Sequence, residues 1–185
     1  SRKPDGSGFN FGAVISNLGS KIGYTNDATQ KDYIPANLSV GTTYTKVFDE
    51  NSNLTFGLDL HKLMVPTPPR LTGDFSADSN KIVSYRTKSV VGSWFSSFGD
   101  APGGIGEEMR EFSLSVGAEY SYNNQFMVRA GYFYEDKTKG NRKFFTVGFG
   151  IKYNVFGLNF SYLVPSGQGI NRNPLSNTLR FGLVF

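Results

Sequence analysis

Phe144-Phe-Thr-Val-Gly-Phe-Gly-Ile-Lys-Tyr-Asn154 reads as two interleaved sets of residues. Phe145, Val147, Phe149, Ile151 and Tyr153 stand on one side. Phe144, Thr146, Gly148, Gly150, Lys152 and Asn154 stand on the other. Successive side chains of an extended chain point to opposite faces, so this period of two predicts an amphipathic strand. The same alternation runs through Phe112–Tyr122. There Phe112, Leu114, Val116, Ala118, Tyr120 and Tyr122 oppose Ser113, Ser115, Gly117, Glu119 and Ser121. It ends the chain as well, with Leu179, Phe181, Leu183 and Phe185 alternating with Arg180 and Gly182. Eight such strands are predicted, over 8–16, 37–48, 53–65, 112–122, 126–136, 143–154, 157–165 and 177–185. Phe48-Asp-Glu-Asn-Ser-Asn53 and Tyr122-Asn-Asn-Gln-Phe126 read as hairpin turns between them.

The character of the two faces decides what kind of all-β protein this is. A soluble sandwich buries its apolar face and shows Lys, Glu and Thr to water. Here the second face is Gly, Ser, Thr and Asn with single charges, at Asp59, His61, Glu119, Arg129, Lys152 and Arg180. Small residues with sparse charges suit a crowded wet interior, and the Phe/Tyr-rich face suits lipid. Tyr44, Tyr122, Tyr134 and Tyr153 lie near strand ends, where a transmembrane barrel carries its aromatic girdle. A soluble sandwich or a lipocalin-type barrel is the competing reading. Composition agrees with the membrane barrel: 17 Phe, 10 Tyr and 22 Gly among 185 residues, at a mean hydropathy of −0.30. No apolar run approaches the ~20 residues of a transmembrane helix. The chain has no Cys, which removes disulfide scaffolds and Cys-based zinc sites. A net charge of +4, spread along the chain, does not argue for nucleic acid. Ser-Arg-Lys-Pro-Asp-Gly at the start has no apolar core of a signal peptide.

Connection lengths set the topology. Long connections at 17–36, 66–111 and 166–176 and a charged one at 137–142 alternate with short turns. Bacterial outer-membrane barrels alternate short periplasmic turns with longer extracellular loops. On that pattern the four longer connections face outside, and the last strand returns to the periplasm with an aromatic residue at its end. The fold class expected is therefore an all-β, antiparallel transmembrane outer-membrane β-barrel, with eight strands in this chain. Eight strands are enough to close a small barrel, and equally could be the last strands of a larger one.

Loop 66–111 is the main candidate for function. Val90, Val91, Trp94, Phe95 and Phe98 fall at near-helical spacing, Gly99-Asp-Ala-Pro-Gly-Gly104 stops the helix, and Gly106–Phe112 restarts it. Exposed apolar patches mark interfaces, and Trp is enriched at their energetic centres. The five residues are expected to bind a partner; packing back across the barrel mouth is the alternative. Glu119 and Arg129 face the interior, and pairing Tyr122 with Phe126 puts them opposite each other as a structural ion pair. No metal site is expected, since His61 beside Asp59 is the one His of the chain. No catalytic residue is expected either: no Ser sits on a nucleophile elbow. Gly103-Gly-Ile-Gly106 lacks the Lys and the context of a phosphate loop, so no cofactor is implied. Lys137–Lys143 holds four basic residues that could touch lipopolysaccharide, but Thr-Lys-Gly-Asn-Arg is turn chemistry and a solvated turn is the preferred reading.

A family resemblance rests on several of these stretches. Strand 8–16 with Asn17-Leu-Gly19, then Ile34-Pro-Ala-Asn-Leu38 leading into Gly41, resembles the FadL-type barrel pattern. Ser96-Ser-Phe-Gly-Asp-Ala-Pro-Gly-Gly104 with Glu107-Glu108 is narrower. So are Arg129-Ala-Gly-Tyr-Phe133, Thr138–Lys143 and Asn177-Thr-Leu-Arg-Phe181. Together they resemble the PorV (LptO) family, outer-membrane components of the Bacteroidota type IX secretion system. The resemblance implies a FadL-like barrel of about fourteen strands, of which this chain would be the C-terminal part. It also implies a non-enzymatic role. Such proteins bind the C-terminal signal domain of secreted cargo and associate with the giant SprA (Sov) translocon barrel. They then pass cargo to the surface attachment complex, amid outer-membrane lipid and lipopolysaccharide. A FadL-like channel for hydrophobic small molecules is the alternative function, and an outer-membrane enzyme the third.

Overall fold

A computed structural model describes residues 3–166 and 177–185. Among these, eight strands form one antiparallel sheet: β1 (Gly8–Ser16), β2 (Asn37–Val47), β3 (Ser52–Leu63), β4 (Phe112–Tyr122), β5 (Phe126–Tyr134), β6 (Lys143–Tyr153), β7 (Phe156–Pro165) and β8 (Leu179–Val184). They lie in the order β1-β2-β3-β4-β5-β6-β7-β8, so each strand pairs with its neighbours in sequence and β1 and β8 are the edges. The expected all-β fold and the eight strands are present, and their ends agree with the sequence reading to within two residues. The connection expected at 166–176 falls almost wholly outside the described residues.

The turns explain why the register is what it is. Asn123 and Asn124 both take positive φ, at 50° and 53°, a conformation that Asn tolerates better than most residues. They fold β4 onto β5 with Tyr122 opposite Phe126 and Glu119 opposite Arg129. Asn154, at φ 51°, does the same between Tyr153 and Phe156. A slip of one residue would turn every side chain to the other face, so these turns decide which face is which.

The chain divides into two compact units. The first comprises Ser1–Ala13, Val40–Leu60 and Ser113–Phe185, and the second Val14–Ser39 and His61–Phe112. In the first, the apolar side chains are on the exposed face. Phe145, Val147, Phe149 and Ile151 of β6 are 40–52% exposed, while Thr146 and Gly148 are half-buried and Gly150 is buried. Phe126 and Val128 of β5 and Leu158 and Tyr162 of β7 share the exposed face. Leu163 is the one buried hydrophobic residue of this unit among those described. A side chain of this size loses roughly 1.5–3 kcal/mol when left in water rather than buried. A face built this way requires apolar surroundings.

The opposite face is floored with glycine. Gly117 pairs with Gly131, and Gly131 with Thr146. Gly148 pairs with Arg129 on one side and Ser161 on the other. A Cβ on Gly148 would sit 2.7 Å from the Phe160 carbonyl oxygen, so the close approach of β6 and β7 depends on its absence. Gly148→Val is expected to destabilise the sheet by about 1–3 kcal/mol through overpacking. Unfolding of the detergent-solubilised protein in urea, followed by tryptophan-independent far-UV circular dichroism, measures the shift.

The second unit holds three helices: α1 (Phe75–Thr87), α2 (Val90–Ser96) and α3 (Ile105–Glu108). A helix through Val90–Phe98 and a restart at Gly106 were legible in the sequence. The thirteen-residue α1 was not, because its apolar residues do not recur on one stripe. Its start signal is nevertheless local: the Asp74 carboxylate accepts from Ala77 N–H as an N-cap.

Candidate functional site in the long loop

Two segments far apart in sequence are fastened together in the second unit. The Lys21 ammonium donates to the carbonyls of Arg86 and Lys88 at the C-terminal end of α1. Those carbonyls have no partner within a helix, and a cation beside them opposes the negative end of the helix dipole. The same ammonium lies 4.4 Å from the centroid of the Tyr33 ring, and the Tyr33 hydroxyl donates to the Tyr85 and Lys88 carbonyls. Arg86 answers by donating to the Thr29 carbonyl at 2.7 Å. Desolvation lowers the Lys21 pKa and raises those of the Tyr33 and Tyr85 phenols. Segment 17–36 and the long loop thus make one body.

The base of the loop is held by a buried charge that sequence reasoning missed. Lys62 continues the parity of Phe56, Leu58 and Leu60 on β3, yet it is 1% exposed. Its ammonium pairs with Glu108 Oε2 at 3.1 Å and with Glu111 Oε2, and the rings of Phe98 and Phe112 lie over it at 5.9 and 5.6 Å. Glu108 Oε1 accepts from Ala101 N–H, and Glu111 Oε1 from the Thr67 hydroxyl, which also reaches Asp100. Nothing in the sequence marks this pairing, since the glutamates lie 46 and 49 positions from the lysine.

An acid-labile clasp ties the first turn of α1 to the residues before it. The Asp78 carboxylate is held below the ordinary aspartate range, first by the Thr72 backbone N–H, then by Gly73 N–H, the Thr72 hydroxyl and Lys81, with desolvation opposing them. Thr72 N–H and Gly73 N–H donate to it at 2.9 and 2.8 Å. A carboxyl whose folded pKa is depressed contributes stability that is present above its unfolded pKa and is lost as pH falls through the folded value. Hydrogen exchange at Thr72 and Gly73 should therefore quicken, after correction for intrinsic rates, below about pH 4. Asp78→Asn should show fast exchange at neutral pH already.

The five apolar residues expected to bind a partner do not share one environment. Val91, Phe95 and Phe98 form an outward stripe and are 57%, 76% and 45% exposed. Val90 and Trp94 are half-buried on the other side of α2, next to the fully buried Ser93 and Ser97. Those serines are satisfied locally, Ser93 Oγ donating to the Val90 carbonyl and Ser97 Oγ to the Trp94 carbonyl. Ile105 and Met109, one turn apart, are also exposed, at 81% and 70%.

In the first unit, Arg129 Nε donates to Glu119 Oε2, and Arg129 Nη1 to Asn159 Oδ1 at 2.8 Å. The guanidinium crosses to β7 over Gly150, where a Cβ would lie 3.4 Å from Nη1 and 2.9 Å from Asn159 Oδ1. His61 Nδ1 contacts Ser39 Oγ at 2.8 Å, and no group of three or more metal-ligating residues occurs among those described. In the turn before β6, Arg142 is bound through two nitrogens by Glu135 at 2.7 Å each, which raises its pKa.

An antiparallel sheet with aromatic and branched residues outward and glycine, serine and a charge ladder on the other face has the construction of the transmembrane β-barrel class. Residues 5–70 match the family model described as Type IX secretion system protein PorV, so the PorV resemblance read from the sequence is shown over β1, β2, β3 and the start of the long loop. That family is a secretion-system component rather than an enzyme family. No curated protein matches the chain.

Proposed function

We propose that this protein is an outer-membrane component of type IX secretion, and that it is the C-terminal part of one FadL-like barrel of about fourteen strands. The observation that carries the reading is the PorV match over residues 5–70. The exposed apolar face of β5, β6 and β7 supports the membrane location, since lipid supplies the surroundings that face requires. The protein binds the C-terminal signal domain of cargo, associates with the SprA/Sov-type translocon barrel and passes cargo to the attachment complex. The long loop, 66–111, lies outside the cell and makes the contact. Val91, Phe95 and Phe98 give the contact surface, while Val90 and Trp94 hold α2 in place beneath it.

A channel for hydrophobic small molecules fits less well. Glu119, Arg129 and Asn159 form a polar ladder on the small-residue face, where such a channel would need an apolar lining.

Phe95→Ser combined with Val91→Ser tests the binding surface. Both side chains are exposed, so the loop should stay folded by hydrogen exchange while co-purification of a translocon barrel or of cargo falls at least about tenfold, as the loss of hot-spot anchors does. Undiminished co-purification from a folded loop would remove α2 from the interface.

A further inference from the structure

We propose that the cleft between α1 and the Pro66–Pro69 segment binds an acidic oligosaccharide. The cleft has a volume of about 750 Å³ and lies wholly within the second unit. That is the size of a small-molecule site.

The orientation of α1 is the first reason. Ile82 and Val83 point to solvent, 36% and 43% exposed. Asn80, Lys81, Ser84, Tyr85 and Thr87 of the helix, with its C-cap Lys88, line the cleft instead. A helix that only packed against its neighbours would do the reverse. The second reason is that these polar groups are available. Among the described residues, the Asn80 amide, the Ser84 hydroxyl, the Tyr85 phenol oxygen and the Lys88 ammonium have no hydrogen-bond partner, and Lys81 has only a 3.8 Å pairing with Asp78.

The lining carries two lysines against one acid, a balance that favours an acidic ligand. Asp100 is the one acid in the lining, and its two oxygens already accept from Thr67 N–H and the Thr67 hydroxyl at 3.2 and 3.1 Å. Lys81 lies in α1 and Lys88 caps its C-terminal end, seven residues on, which is about 10 Å along the helix axis. That spacing suits carboxylates on alternate rings of a trisaccharide.

The lining also selects a sugar over a peptide. An extended peptide that adds to a sheet edge is held by backbone partners. Here one wall is a helix whose amides bond internally, and the other carries Pro66 and Pro69, which have no N–H. Hydroxyls and an amide both donate and accept, which matches sugar hydroxyls. The Tyr85 ring, set edge-on against Tyr33 at 5.6 Å between centroids, supplies a flat apolar surface for the C–H face of a pyranose.

This site does not depend on the secretion reading, and its test is separate. The full chain in detergent micelles is titrated with trigalacturonate, maltotriose and triglutamate by isothermal calorimetry. Trigalacturonate should bind saturably, and the two other probes at least tenfold more weakly. Lys81→Gln with Lys88→Gln should weaken trigalacturonate at least tenfold, with hydrogen exchange of α1 unchanged. Asn80→Ala, an exposed position, should weaken it severalfold without touching charge. Absence of saturable trigalacturonate binding, an affinity unchanged in the double variant, or triglutamate binding as tightly would each overturn the proposal. Co-purification of cargo should be the same for the double variant as for the unaltered protein.

Discussion

Lys62→Met should unfasten the long loop. The substitution keeps most of the side-chain volume and removes the charge, leaving Glu108 and Glu111 facing each other at 12% and 11% side-chain exposure. Breaking a buried ion pair from one side costs about 3–5 kcal/mol, because the remaining charges lose their partner without regaining water. The loss of the Phe98 and Phe112 rings over the ammonium adds a smaller amount, about 0.5–2 kcal/mol. Hydrogen exchange across 98–112 should accelerate by at least about a hundredfold, and a protease should cut near Gly103-Gly104. Lys62→Arg should keep most of the protection. The triple variant Lys62→Met, Glu108→Gln, Glu111→Gln should recover much of it, since a neutral cluster leaves no orphaned charge. Protection unchanged in Lys62→Met would mean that the pair does not hold the loop.

In liposomes, cysteine at Thr146 should react with a membrane-impermeant thiol reagent and cysteine at Val147 should not. Adjacent positions on β6 share depth and local sequence and differ only in the face they occupy, so the comparison isolates orientation. Ser161 and Tyr162 on β7 repeat the test, since Val147 pairs with Tyr162 and Gly148 with Ser161. Gly148 itself is unsuitable because any Cβ there meets the Phe160 carbonyl. The expected difference in labelling rate is tenfold or more at both strands. Equal labelling would place both faces in water and end the membrane reading; reversed labelling would exchange lipid and lumen. Phe149→Arg carries the same argument into energetics. A cation on the lipid side of a barrel near mid-depth costs roughly 2–4 kcal/mol, and heat-modifiability on a gel should drop accordingly.

The amino-acid sequence by itself determined the strands, because alternation is a local property that needs no partner. Phe145 through Tyr153 announce β6 and its two faces without reference to any other residue. It also determined the β4–β5 register, since the length of the Asn123-Asn-Gln125 turn leaves Glu119 opposite Arg129 whatever the rest of the chain does. The character of the faces was legible in the same way, as was the stop at Gly99–Gly104.

Only the tertiary structure decided the loop unit. α1 escaped notice because a helix is read from an apolar stripe, and this one turns its polar side to a cleft. Lys62 finds its partners in Glu108 and Glu111, and a contact across that many residues leaves no trace in spacing. The apolar cluster on α2 could be found from sequence but not sorted. Periodicity placed Val90, Val91, Trp94, Phe95 and Phe98 together, while in the fold Ser93 and Ser97 are buried and Val91, Phe95 and Phe98 are exposed. Which side of a short helix is covered depends on what lies across from it, and that is a property of the folded chain.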